Sequence, residues 1–203
     1  MDCPLFEFIA QAYGVKRYQI SGPDWIANGS LTFDVVASAG KAASIQETKR
    51  MLGPMLAERF HFAFHRETRE LPVFALLVAK GGPKFNEPGD GGESNIRPDG
   101  EGGLFFRNCS MDDLAEWFSV LPSMGRPVVD RTGLAGVFSF RANLFNLAKG
   151  MPPEDLKRSM VSEDAADTLR AALPEQLGLK MESQKAQIEI LIIDHVDKVP
   201  TAN

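Results

Sequence analysis

Cysteine and histidine are scarce in this sequence, and each shortage removes a class of chemistry. Two cysteines, Cys3 and Cys109, cannot build a disulfide framework or a cysteine-rich zinc site, and both are read as reduced thiols. With three histidines and no H-x-H-x-D-H cluster, the plan of a zinc lactonase is excluded. HExxH, a G-x-S-x-G nucleophile elbow, a P-loop and GxGxxG are missing too. No apolar run approaches a membrane span, and the opening MDCPLFEF lacks the basic start, apolar run and small-residue cleavage site of a signal peptide. The chain as written is therefore expected to be cytoplasmic and not membrane-spanning. No long Lys/Arg run occurs, and 27 acidic residues against 22 basic ones give a formal charge of −5, so a nucleic-acid partner is not expected.

What the 203 residues do contain is 44% apolar side chains, enough to bury a core, and one pattern written twice. Leu5, Phe8, Ile9 and Ala12 recur at helical spacing, and so do Met111, Leu114, Ala115 and Phe118, starting 106 positions later. Each predicted helix follows a cysteine, with Pro4 suited to a first helical position and Ser110 to an N-cap. Strands are predicted at LTFDVVA, 31 to 37, and GVFSFRA, 136 to 142. A second helix in each half is marked by Leu52, Met55, Leu56 and Phe60, and by Leu169, Ala172, Leu173 and Leu177, every pair 117 apart. The first of these opens with Ser44-Ile45-Gln46-Glu47, a capping-box pattern. Two strands are then predicted in each half, FHFAFHRE with LPVFALLVA and GLKMESQ with IEILIIDHV.

The expectation is an α+β fold made by internal duplication: two pseudo-equivalent halves, each a small mixed sheet with two helices. The first repeat covers 1–80 and lacks an upstream strand, because no room precedes Cys3. The second covers 104–203 and carries an insertion near 146–161, expected as a loop or lid. Between them, residues 81 to 103 hold eight of the 18 glycines and three prolines, which reads as a flexible acidic linker. A small-molecule ligand is expected in a cleft between the halves.

FIAQAYGVKRYQISGPDW, ERFHFAFHRETRELPVFALLVAKGGPK, GRPVVDRTGLAGVFSF and EQLGLKMESQKAQIEILIIDHVDK together resemble the soil-associated acidobacterial family DUF3738. The resemblance implies proteins that are typically exported and begin with an export signal and a strand of the type FEVAS; the sequence as written has neither. A metagenome-derived, calcium-dependent hydrolase of N-acyl-homoserine lactones is similar to this family, which implies quorum-quenching hydrolysis with calcium as cofactor. The helix and strand pattern is also loosely similar to the βαβ modules at the entrances of secretins, which bind partners and catalyse nothing.

Histidine supplies the candidate bases. In HFAFH the phenylalanines alternate with His61 and His65, so the segment reads as a strand with both imidazoles on one face, about 13 Å apart and too distant to share an ion. His65, among Arg66, Glu67, Arg69 and Glu70, is the better general base of the two. His195 follows Asp194 on a strand, where neighbours point to opposite faces, so its orienting carboxylate is expected elsewhere, at Asp130 or Glu67. Asp130 itself lies in the Asp-Arg-Thr-Gly stretch, read as a turn first and a site second. Glu87, Asp90, Glu93 and Asp99, interleaved with glycines, are the candidate calcium ligands, since the ion takes about six to eight hard oxygens. They show neither EF-hand nor nonapeptide spacing, and a solvated linker is the alternative. Two functions follow: a calcium-assisted hydrolase of a small lactone or ester, with His65 or His195 moving the proton, or a non-catalytic binding module.

Overall fold

The apolar stripes read from the sequence become helix faces. Residues 3–35, 45–85, 88–150 and 152–201 are described by a computed structural model. The chain begins with β1 (Cys3–Pro4), α1 (Leu5–Tyr13), β2 (Ile20–Ser21), α2 (Asp24–Ala27), β3 (Thr32–Phe33), α3 (Ile45–Phe60) and β4 (Ala63–Val78). It continues with β5 (Asn95–Pro98), β6 (Leu104–Ser110), α4 (Met111–Ser119), β7 (Val128–Asp130) and β8 (Val137–Ala142). It ends with α5 (Pro153–Val161), α6 (Ala165–Gln176) and β9 (Leu179–His195). The fold is α+β with small mixed sheets.

Two compact units form, one from residues 1–71 and 187–203, the other from 72–186. This differs from the split at 81–103 because the paired strands expected in each half are single long strands, β4 and β9, each shared by both units. No glycine or asparagine interrupts HRETRE or ESQKAQ, so the backbone runs on extended through these polar, exposed stretches.

In the first unit Leu5 and Ile9 of α1, Ile26 of α2, Leu56 of α3 and Leu191 of β9 are at most 2% exposed and share one core. α1 stops where Gly14 takes φ 64, a left-handed cap that suits glycine. Pro4 stands one position earlier than expected, as the N-cap, and pairs with Thr32 while Cys3 pairs with Phe33. A strand thus does precede the first helix. β2 lies parallel to β9, Ile20 against Leu191. Ser44 and its capping box lie outside the described residues.

In the second unit Met111, Leu114, Ala115 and Phe118 of α4 are all buried against Leu169, Leu173 and Phe106. Ser110 caps α4 as expected: its hydroxyl accepts from Asp113 N at 3.0 Å, and the Asp113 carboxylate accepts from Ser110 N at 3.0 Å. β6 sits between β5 and β8, with Cys109 opposite Phe138 and Ser110 opposite Val137. β7 lies parallel to β4, Val128 against Phe74. The stretch 146–161 expected as a loop or lid ends in helix α5. Residues 81–103 are tied into this unit: Phe85 is 7% exposed, Lys84 N donates to Leu177 O, and Asn95–Pro98 form β5. The tie is close at Gly178, where φ is 66 and a Cβ would lie 2.1 Å from Gly82 O.

Candidate functional site

All three histidines fall in the first unit, and each meets an aspartate near the end of β9. His65, on the exposed part of β4, places Nδ1 2.8 Å from Asp194 Oδ1. A carboxylate only accepts, so Nδ1 carries the proton and Nε2 of the neutral ring keeps its lone pair. An imidazole held this way has the tautomer a general base requires. Beside it Arg66 is ion-paired with Glu189 and donates to Tyr13 O at 3.2 Å, pinning β4 to β9 and α1.

His61 leaves the strand pattern expected of it. It sits between α3 and β4 with φ 47, and its Nδ1 lies 2.7 Å from Asp197 Oδ2. Asp197 Oδ1 lies 3.1 Å from His195 Nε2, so one carboxylate spans two rings. Hydrogen bonding from His61 holds the Asp197 carboxyl below its usual range, helped by the charge and hydrogen bond of His195. Asp197 N donates to Phe60 O and Thr201 N to Arg59 O, each at 2.8 Å, clasping the tail to the end of α3.

The partners expected for His195 are engaged elsewhere. Glu67 accepts from Arg69 at 2.9 Å, which keeps its carboxyl below the usual range. Asp130, in the other unit, closes its own turn: Oδ1 accepts from Thr132 N and Thr132 Oγ1, both at 2.8 Å, and Gly133 follows at φ 71. The turn reading of Asp-Arg-Thr-Gly holds. Asp197 was missed although it stands two residues beyond His195, because it follows the strand, where period-two reasoning ends.

The candidate calcium ligands fare differently from one another. Glu87 lies outside the described residues, and Glu93 is exposed. Asp90 takes hydrogen bonds from Arg107, Asn108 and Gly92 N, which hold its carboxyl well below the usual range. Burial pushes Asp99 up, but the N–H groups of Gly103 and Glu101, the charge of Arg141 and its own backbone N–H together leave the group lowered. The Asp90 oxygens bind β6 and the loop backbone, those of Asp99 bind the loop backbone, and among the described residues no three His, Cys, Asp or Glu side chains are grouped to hold a metal ion. Asp90, Glu93 and Asp99, the described members of the set, are therefore not arranged as a shared ligand group. Burial pushes the Cys109 thiol up to about 12 and the Cys3 thiol above its usual value, so neither free cysteine is a ready nucleophile.

An α+β chain of two units, with carboxylate-partnered histidines gathered on one of them, is the class these features define. It belongs to the DUF3738 family of proteins of unknown function, whose model matches residues 7–196. No curated protein and no solved structure matches the chain. No helix among the described residues is long and apolar enough to cross a membrane.

Proposed function

We propose that this chain is a hydrolase of a small lactone or ester in which His65, oriented by Asp194, draws a proton from the attacking water. The observation that supports it is the 2.8 Å contact from His65 Nδ1 to Asp194, which leaves Nε2 as the base. The substrate class, N-acyl-homoserine lactones, is the one that the likeness of a lactone hydrolase to this family implies. His65 Nε2 takes a proton as water adds to the ring carbonyl and returns it to the ring oxygen as the tetrahedral intermediate collapses, which breaks the acyl–oxygen bond and gives the open hydroxy acid. The test is ring opening followed by mass spectrometry on the purified protein. His65→Ala should lower turnover about 100-fold or more and Asp194→Asn should lower it as well, with the fold checked by circular dichroism. Full activity in both variants would remove the reading. A parallel arm with EDTA reads whether the acidic stretch 87–101 contributes a metal.

A second reading, a non-catalytic binding module resembling the secretin-entrance domains, is supported by pairing that recurs in both units. Cys3 faces Phe33 before α1, and Cys109 faces Phe138 before α4. In this reading the two units are copies of one ancestral unit, and ligand binding without turnover is the expected result.

A further inference from the structure

We propose that the groove between edge strand β5 and helix α4 docks an extended, basic segment of a partner protein, which adds to the sheet as a strand. Helix α4 carries two stripes at helical spacing. Met111, Leu114, Ala115 and Phe118 face the core, whereas Asp113, Glu116, Trp117 and Val120 line an open groove of about 450 Å³ whose other wall is residues 94–96. Strand β5 pairs with β6 on one side, and among the described residues no strand covers its other side. A helix beside an uncovered strand edge is the geometry in which an extended peptide adds by main-chain hydrogen bonds and is read by alternate side chains.

The lining decides the chemistry of the occupant. Trp117 is fixed edge-on against Phe106, with ring centroids 5.4 Å apart, and Val120 is 51% exposed, so the floor is a rigid apolar platform. Among the described residues, the charged ones that line the groove are Asp113 and Glu116, both acidic. Asp113 is held in place by Ser110, whose N–H and hydroxyl donate to it at 3.0 and 2.7 Å. Alternate residues of an added strand face the same way, so one apolar side chain rests on Trp117 while a lysine or arginine two positions along meets the carboxylates. The proposal is independent of hydrolysis at His65.

Trp25 and Trp117 are the two tryptophans, so Trp25→Phe in the full chain makes Trp117 the reporter. The titrant is a blocked seven-residue peptide, Thr-Lys-Thr-Val-Thr-Lys-Thr, which carries its valine and both lysines on one face when extended. A saturable change in Trp117 emission is expected, weakened at least about tenfold when glutamate replaces lysine, when proline replaces the central valine, and when the protein carries Glu116→Lys. Absence of saturation, or equal affinity for the glutamate peptide, overturns the proposal. Equal affinity for the proline peptide overturns the strand addition on which it rests. A dimer on size exclusion that Arg97→Glu dissociates would make a second copy of this chain the occupant, and would overturn it too.

Discussion

Asp197 holds two imidazoles at once, and its negative charge makes that possible. Its folded pKa is lowered, chiefly by the hydrogen bond from His61, so the clasp contributes fully above the ordinary aspartate value of about 4. The contribution is lost as the pH falls through the lowered value, when the carboxyl becomes protonated. The amide signals of Asp197 and Thr201, which report the bonds to Phe60 O and Arg59 O, should therefore shift together in acid below about pH 4. Asp197→Asn should abolish that transition; an unchanged one would assign it to another group. His65 and Asp194 stand 129 positions apart and meet only because β4 and β9 are neighbours, so no spacing in the sequence marks them as a pair.

At the level of elements, periodicity carried most of the information. α4 was legible from its apolar stripe and its serine cap, which agree, while the capping-box role of Asp113 came with the structure. Phe118→Ala should cost about 3–5 kcal/mol in urea denaturation because the ring is fully buried, whereas Ser110→Ala should cost about 1 kcal/mol. Equal costs would mean that packing does not dominate this helix. Strand length was not legible: the polar stretches HRETRE and ESQKAQ read as ends of strands, and only exposure on a continuing strand explains them. Composition likewise misjudged 81–103, where glycines permit tight turns that fasten the segment to β6 and α6 as readily as they permit flexibility.

For the whole molecule, the consequence of β4 and β9 is that the first unit needs both ends of the chain, while the second is contiguous from 72 to 186. A chain ending at Ala186 loses the buried Leu191 and Ile193, so the first unit should unfold and the second persist. Trp25 lies in the first unit and Trp117 in the second, so single-tryptophan versions read each separately. Cooperative melting of both signals in the truncated chain would contradict two separable units. The sequence by itself determined the α+β class, the helix faces and the turn at Asp130, because these rest on local periodicity and on side chains bonding their own backbone. Only the tertiary structure decided that Asp194 lies against His65, that Asp197 joins His61 to His195, and that α4 presents a second face beside β5, whose other edge no strand covers among the described residues. Those depend on which distant strands become neighbours, a choice made by burial of the whole core rather than by any local run of residues.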